Sequence, residues 1–199
     1  DTYGRAKSSV YGLNGVTQSY SLSYKTYSNL LDSFHLGISG NTVTREYFYD
    51  ALERVVTVNT HTNSRTFTES YTYVSNGYNT TSLVATHTVN GVVYAYTYDD
   101  VGNILTISEN GTLRYRYTYD KLGQLRSANH YSDAYYSNSY CDVYEYIYDK
   151  SGNITFANHH YGVHTSYTDT IRYTYGNETW GDLLTNYNGT SITYDTIGN

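Results

Sequence analysis

The sequence is short of several residues that would point to a familiar class of protein. It has one cysteine and no methionine, and its 12 lysines and arginines are scattered against 18 acidic residues. The single Cys141 excludes an internal disulfide. With a formal net charge of −6 and no basic run, the chain lacks the electrostatic footprint of a nucleic-acid-binding protein. No apolar run approaches the ~18 residues of a membrane-spanning helix, and no signal peptide is recognisable in this stretch.

Aliphatic residues are also scarce. The chain is 39% hydrophobic, but 29 of those residues are tyrosine. Tyrosine must therefore supply much of the buried area, which is feasible because one aromatic ring buries ~150–250 Å² when its hydroxyl keeps a partner. A disordered chain is disfavoured, because disordered segments are poor in the aromatic and β-branched residues that abound here.

A tyrosine followed by an aspartate recurs along the chain, and the repeat dominates the sequence. Five copies place aspartate at the same point, and two degenerate copies carry Val74 and Gly176 there. The spacing is loose, about 24 residues on average. A weaker copy lies near residues 20–27, and the last copy breaks off, so we expect an internal fragment or a processed piece of a longer protein. The five aspartates are Asp50, Asp99, Asp120, Asp149 and Asp195.

The residues before each aspartate predict a β-strand. Tyr115, Tyr117 and Tyr119 occupy every second position of "RYRYTYDKLGQL". Side chains alternate across a strand, so this spacing puts the three rings on one face, whereas a helix would scatter them.

The residues after each strand predict two kinds of turn. In "DKLG", Asp120 can accept hydrogen bonds from the turn backbone and Gly123 can adopt a positive φ, as in a three-residue hairpin loop with a glycine bulge. The copy at Asp50 has Glu53 in place of glycine, so we expect a strained or longer turn there. Asn-Gly pairs predict tight two-residue hairpins between copies, at 90–91, 110–111 and 188–189.

These signals predict an all-β fold, a long antiparallel meander of β-hairpins. Two strands per copy give on the order of 14 strands, and open sheets rarely exceed ~10 without curling or closing. We therefore expect the meander to coil into a spiral sheet or shell. The longest insertions, residues 129–142 and 156–167, are expected to be extended hairpins or loops on one rim.

The repeats "YTYDDVGNILTI", "YTYDKLGQLRS" and "YIYDKSGNITF" resemble the YD repeat, also called the Rhs repeat. The resemblance covers residues 45–199, about seven repeats and incomplete at the C-terminus, while residues 1–44 are a degenerate repeat or an irregular β segment. The family includes bacterial polymorphic toxins, wall-associated proteins, cocoon subunits of insecticidal toxin complexes, and teneurins. The residue after glycine, often arginine in the family, is here Asn103, Gln124, Asn153 and Asn199.

The resemblance implies a secreted or cell-surface protein whose repeats form a shell. Its expected partners are the remaining repeats and a C-terminal effector or cargo of the parent protein. Neither the plug and self-cleavage region of many family shells nor an effector domain is recognisable in this chain.

No pattern in the sequence predicts catalysis, a cofactor or a metal. His159, His160 and His164 are clustered, but no cysteine or carboxylate spacing completes a zinc pattern, which favours a solvated loop. Cys141 has no neighbouring base to activate it. The repeated aspartates are interpreted as turn residues rather than paired catalytic carboxylates.

Three hypotheses for function follow. The leading one is a non-enzymatic scaffold, a segment of a shell that encloses or displays another polypeptide. The second is an adhesin or carbohydrate-binding module that contacts cell-surface glycans through exposed aromatic rings. The third is self-association into a filament through unpaired edge strands. The candidate sugar-binding residues are Trp180, Tyr135, Tyr136 and Tyr140.

Overall fold

A computed structural model describes residues 1–132, 141–161, 168–176, 180–195 and 197. These residues form sixteen β-strands, and none of them lies in a helix, so the described chain has no helix that could span a membrane. The chain divides into two units, Asp1–Ala95 and Tyr96–Asn199. The first unit holds β1 (Ser8–Leu13), β2 (Val16–Tyr24), β3 (Leu31–Ile38), β4 (Asn41–Tyr49), β5 (Val55–Thr62), β6 (Thr66–Ser75), β7 (Thr80–Val89) and the start of β8 (Val92–Tyr98).

The second unit begins within β8 and continues to the end of the chain. Its strands are β9 (Ile104–Glu109), β10 (Thr112–Tyr119), β11 (Leu125–Tyr131), β12 (Cys141–Tyr148), β13 (Ile154–His160), β14 (Thr168–Tyr175), β15 (Leu184–Tyr187) and β16 (Thr190–Ser191). In both units the strands follow one another in chain order, and consecutive strands pair antiparallel. The prediction of an all-β antiparallel meander is therefore confirmed.

The strand boundaries match the sequence pattern closely. The turn signals predict strands at Val92–Tyr98 and at 103–109. The first is β8, and the second, β9, begins one residue later than predicted, at Ile104, because Asn103 belongs to the preceding turn. Residues 1–44 contain β1 to β3 and the start of β4, although the sequence shows no clean copy of the repeat there. The division of the repeats at residue 45 stays a prediction.

The sheet has almost no enclosed core. Val58, in the middle of β5, is the one apolar residue among the described residues that is buried, at 3% exposed. It pairs in register with Tyr47 of β4 and Glu69 of β6, and Tyr71 follows two residues later on β6. We call the face that carries these residues in the first unit, and Tyr115, Tyr117 and Tyr144 in the second, the tyrosine face.

The opposite face of the strands is lined with hydroxyl groups. Thr72 and Thr86 lie directly opposite each other, and their Oγ1 atoms are 2.7 Å apart. In the second unit Thr118 and Ser127 repeat the pair at 2.7 Å. Cross-strand pairs of this kind stabilise a sheet by ~0.2–1 kcal/mol each. We call this surface the hydroxyl face.

The turns at one end of the strands differ from the turns at the other end. The repeated aspartates lie in turns that follow even-numbered strands, and we call the end of the strands where these turns lie the aspartate edge. The other edge carries the Asn-Gly turns: Asn90 and Gly91 both adopt positive φ, at 48° and 84°, and join Val89 to its partner Val92 as predicted. The insertion at 129–142 begins within β11 and ends within β12, and the insertion at 156–167 begins within β13. Residues 133–140 and 162–167 lie outside the described residues.

Candidate functional site

The repeated aspartates build the turns, as the sequence predicts. Asp120 Oδ1 accepts hydrogen bonds from the backbone N–H groups of Leu122 (2.8 Å) and Gln124 (2.9 Å). Gly123, with φ 78°, donates its N–H to the carbonyl of Asp120 at 3.1 Å, which closes the turn. Each carboxylate thus satisfies turn N–H groups that the ladder leaves unpaired. The same pattern recurs at Asp1, Asp50, Asp99 and Asp149.

The residue after the glycine position determines how the second carboxylate oxygen is used. Arg54 donates Nε–H to Asp50 Oδ2 at 2.8 Å, and its guanidinium also bonds Thr80 Oγ1 (2.7 Å) and the Thr81 carbonyl in the next turn of this edge. The same guanidinium lies 4.1 Å from the ring centre of Tyr73. One side chain therefore ties two successive turns together.

The turn without glycine has the same length as the others. Glu53 adopts φ 62°, and its N–H reaches the Asp50 carbonyl at 3.0 Å, as Gly123 does in its own turn. Our expectation of strain is confirmed, because a side chain in this region is unfavourable. The alternative of a longer turn is wrong, because the hydrogen bonds of Asp50 hold the five-residue geometry.

Hydrogen bonds favour the ionised form of three turn carboxylates, Asp50, Asp99 and Asp149. The side-chain hydrogen bond from Arg54 holds the pKa of Asp50 below its usual value, and that from Asn103 does the same for Asp99. For Asp149, the backbone N–H of Asn153 is the main cause of the lowered pKa. A general acid or base needs a pKa near the working pH. The pKa values of these carboxyl groups are shifted further below that range, as expected of hydrogen-bond acceptors with a structural role.

The tyrosine before each aspartate has a structural role of its own. Tyr49, at the end of β4, donates its hydroxyl to the carbonyl of Leu31 at the start of β3, 2.7 Å away. The β3–β4 ladder begins only at the pair Ser33 and Glu46, so this carbonyl lies beyond the backbone pairing. We call this hydrogen bond the tyrosine latch. It recurs from Tyr24, Tyr73, Tyr119, Tyr148 and Tyr194 to Ala6, Val55, Ile104, Leu125 and Leu184, at 2.6–2.9 Å.

The protonated form of three latch hydroxyls is favoured, as suits hydrogen-bond donors. Partial burial is the main cause that raises the pKa of Tyr49, Tyr119 and Tyr148 above 10. The tyrosine of the YD motif is therefore explained by hydrogen bonding as well as by cross-strand contact.

Histidine stacks on tyrosine at corresponding places of the tyrosine face. Tyr144 and His159 are paired in register, with ring centres 4.2 Å apart and planes 10° from parallel. Tyr71 pairs with His87 at 4.5 Å and Tyr115 with His130 at 4.9 Å. Such contacts contribute ~0.5–1.5 kcal/mol beyond area burial. The sequence pattern of alternating tyrosines does not reveal these partners, because they come from the next strand.

The most connected polar cluster lies on the tyrosine face of the first unit. Glu69 contacts Arg45 (3.0 Å), the Tyr71 hydroxyl (2.8 Å) and His87 Nε2 (3.3 Å). Partial burial opposes ionisation of Glu69, but the hydrogen bond from Tyr71 and the charge of Arg45 outweigh it and lower the pKa. Burial, together with Glu69, raises the pKa of Tyr71 to about 12. The Glu69 carboxylate, bound by three partners, is therefore interpreted as a structural group that stabilises the sheet rather than as a catalytic acid.

The histidine cluster of the sequence is divided by the strand. His160 lies on the hydroxyl face, against Glu145 Oε2 (3.1 Å) and Thr168, while His159 lies on the tyrosine face against Tyr144. Adjacent residues of one strand cannot bind the same ion. His164 lies outside the described residues, among which we find no group of three metal-binding side chains. Cys141 begins β12.

Of the candidate sugar-binding residues, Trp180 can be located. It lies in the turn between β14 and β15, at the aspartate edge, and is 61% exposed. Tyr135, Tyr136 and Tyr140 lie outside the described residues. The proposed grouping of these four rings stays a prediction.

The sequence reading missed one copy of the turn. Asp1 accepts the N–H groups of Tyr3 (2.9 Å) and Arg5 (3.1 Å), and Gly4 adopts φ 75°. Arg5 then reaches the carbonyl of Ser28 (2.5 Å) and lies 4.2 Å from the ring centre of Tyr24. The signal was present as Asp-x-x-Gly-Arg, but our alignment required a tyrosine before the aspartate.

Comparison with solved structures supports the fold. No family model matches the sequence, and no curated protein matches it. The structure of TcdB2-TccC3-TEV matches with a TM-score of 0.59 and 19% identity, over 79% of this chain and 9% of that one. A Photorhabdus luminescens Tc holotoxin pore matches with a TM-score of 0.62 and 19% identity, over 91% of this chain and 11% of that one. The chain thus spans about a tenth of the length of these toxin chains and is similar to part of their fold.

Proposed function

We propose that this chain is a non-enzymatic scaffold, a segment of a YD-repeat shell that encloses or displays another polypeptide. The observation that carries the proposal is the near absence of a core: Val58 is the one apolar residue of the described chain that is buried. When no second layer covers a sheet, both of its faces can contact another polypeptide. The resemblance of the repeats and the similarity to Tc toxin chains independently support the same class of protein.

The chemistry of the tyrosine face suits this role. Its rings offer contact area, while hydroxyl, imidazole and carboxylate groups such as those of Tyr71, His87 and Glu69 keep it polar. Such a surface can lie against an unfolded or partly folded polypeptide without holding it firmly. The proposed location is extracellular, and the proposed partners are further repeats and a C-terminal cargo of the parent protein.

The proposal is tested by limited proteolysis of the whole gene product that contains this chain. We expect its cargo to be protected in the native protein and to become accessible when two latches are removed by Tyr119→Phe and Tyr148→Phe. The matched control, Thr118→Ala, changes the hydroxyl face and should leave protection intact. Cargo that is digested as fast in the native protein as after unfolding would contradict the scaffold, as would a catalytic activity lost from a folded tyrosine-face variant.

A second candidate, glycan binding, is favoured by the exposure of Trp180. A glycan array should then show binding that Trp180→Ala abolishes while the fold is retained. Absence of binding across glycans would remove this candidate. Self-association through the edge strand β1, with its exposed Val10 and Tyr11, stays a prediction of the sequence and is distinguished below.

A further inference from the structure

The exposed apolar side chains are concentrated at one edge of each sheet. Among the described residues, every large apolar side chain that is at least 60% exposed sits on a turn of the aspartate edge, with Val10 of β1 as the exception. Their exposure ranges from 60% at Leu52 to 96% at Tyr78. We call these side chains the apolar rim: Tyr3, Tyr27, Leu52 and Tyr78 in the first unit, and Val101, Leu122, Trp180 and Ile197 in the second.

The rim is not a by-product of the fold, because the opposite edge lacks it. The described turns there present asparagine, serine and glycine, as at Asn14-Gly15, Ser39-Gly40 and Asn110-Gly111. Both edges have turns exposed to solvent, so solvent exposure alone would favour polar tips at both. Exposed apolar side chains gathered on one edge mark an interaction surface.

The spacing of the rim is regular. Successive turns of this edge are two strands apart, about 9–10 Å at the usual strand separation. In the first unit, a cavity of about 250 Å³ lies between the first two turns, lined by Tyr3, Arg5, Tyr27, Ser28 and Asn29. In the second, a cavity of about 250 Å³ lies between the turns of Asp120 and Asp149 and is lined in part by Leu122 and Tyr148. Each unit therefore has one cleft beside exposed tips of the rim.

We infer that the apolar rim is a protein docking surface whose occupant is the rim of a second copy of this chain. A second copy presents the same exposed tips and the same clefts, so tips of each rim can lie against the clefts of the other. An interface between identical patches closes as a two-fold dimer. This inference goes beyond the scaffold proposal and does not depend on it.

The size and chemistry of the rim fit that occupant. At ~150–250 Å² for each large side chain, four exposed tips per unit present about 600 Å², close to the ~800 Å² that each partner buries in a stable interface. The clefts are smaller than the ~300–1,000 Å³ of small-molecule sites, so each accommodates a side chain rather than a ligand. Half of the tips are aliphatic, which offers no flat ring for a sugar: Leu52, Val101, Leu122 and Ile197.

Ser151 supplies a natural gap in the rim. It occupies the tip position of the turn at Asp149, where Val101 and Leu122 stand in the two preceding turns. The variant Ser151→Leu fills the gap without changing the turn hydrogen bonds. It should therefore strengthen association, whereas most surface changes would leave it unchanged.

The test is sedimentation velocity of the whole chain over a concentration series. We expect a concentration-dependent dimer, weakened roughly tenfold or more by Tyr27→Ser with Tyr78→Ser, or by Val101→Ser with Leu122→Ser. Ser151→Leu should tighten it, and the matched control Val10→Ser, an exposed apolar residue away from the rim, should not change it. Circular dichroism checks that each variant is folded.

Three results would overturn the inference. The first is a monomer at every concentration, including one whose rim binds a glycan instead. The second is a dimer that Val10→Ser weakens and the rim pairs do not, which would indicate pairing through β1. The third is found without a variant, by acrylamide quenching of Trp180, the single tryptophan of the chain. The inference predicts that quenching decreases as the protein concentration rises. Unchanged quenching would exclude a contact through the rim.

Discussion

The turns of the first unit and those of the second share a backbone but differ in one side chain. At Asp1 and Asp50 the residue after the turn is arginine, and at Asp99, Asp120 and Asp149 it is an amide. Arg54 binds Asp50, Thr80 and Thr81 and stacks on Tyr73. Asn103 reaches Asp99 alone, at 2.9 Å. The carboxylate therefore suffices to shape the turn, and the arginine adds a tie to the next one.

The amide side chains of the second unit differ in how well they replace the arginine contact with the next turn. Asn153 Nδ2 bonds both Asp149 Oδ2 (3.1 Å) and Asp182 Oδ1 (3.0 Å), so it bridges two turns as an arginine does. Gln124 reaches the Gly152 carbonyl at 3.5 Å, the longest contact of the series. Asn153 and Gln124 thus keep a contact with the next turn, whereas the Asn103 side chain bonds within its own turn. Arginine gives the strongest version of this contact, because its planar group bonds several acceptors at once.

Removing the side chain after the turn should reduce stability most where that residue is arginine. Arg54→Ala loses charged hydrogen bonds and a cation–π contact, and we expect a loss of about 2 kcal/mol in the free energy of unfolding. Asn103→Ala should cost less than half as much, since it has one short-range partner. Denaturant titration measures both. Arg54→Lys, which keeps the charge but not the planar fork, is the control, and equal losses at Arg54 and Asn103 would contradict the comparison.

Arginines stack on the latch tyrosines Tyr24 and Tyr73. Removal of a latch at another tyrosine should affect both units alike. Tyr49→Phe and Tyr119→Phe each leave one carbonyl without its donor, and we expect each to cost about 1 kcal/mol. Tyr78→Phe, at a tip that is 96% exposed, is the matched control and should cost nothing measurable. If the control cost as much as Tyr49→Phe, the latch would have no special role.

The strained turn offers a change in the opposite direction. Glu53 is at φ 62° where other turns have glycine, so Glu53→Gly should relieve strain and stabilise the first unit by about 0.5–1 kcal/mol. The reverse change, Gly123→Ala in the second unit, should destabilise by a similar amount. Thermal melts of the two variants would show shifts of opposite sign, and a loss of stability in Glu53→Gly would mean that the carboxylate has a role of its own.

The sequence alone was enough to predict the strands and turns, because both depend on local rules. Tyr115, Tyr117 and Tyr119 alternate as a strand requires, and Asp120 with Gly123 satisfies the turn on its own residues. It could not predict contacts between strands that are distant in sequence. The acceptor of Tyr49 is Leu31, and the ring that stacks on Tyr144 is His159. Both contacts depend on the register, which bulges shift at the turns of Asp50, Asp120 and Asp149.

The smallest expected effect concerns acid. Because hydrogen bonds lower the pKa of Asp50 and Asp99 in the folded chain, these groups contribute stability that is fully present above the unfolded value of about 3.9 and is lost as the pH falls through the folded value. Protonation of Asp50 also breaks an ion pair with Arg54, whereas protonation of Asp99 weakens hydrogen bonds with a neutral amide. Asp50→Asn should therefore flatten the dependence of the denaturation midpoint between pH 5 and about pH 3 more than Asp99→Asn does. Equal slopes in the two variants would show that the turn backbone, shared by both units, dominates the response to acid.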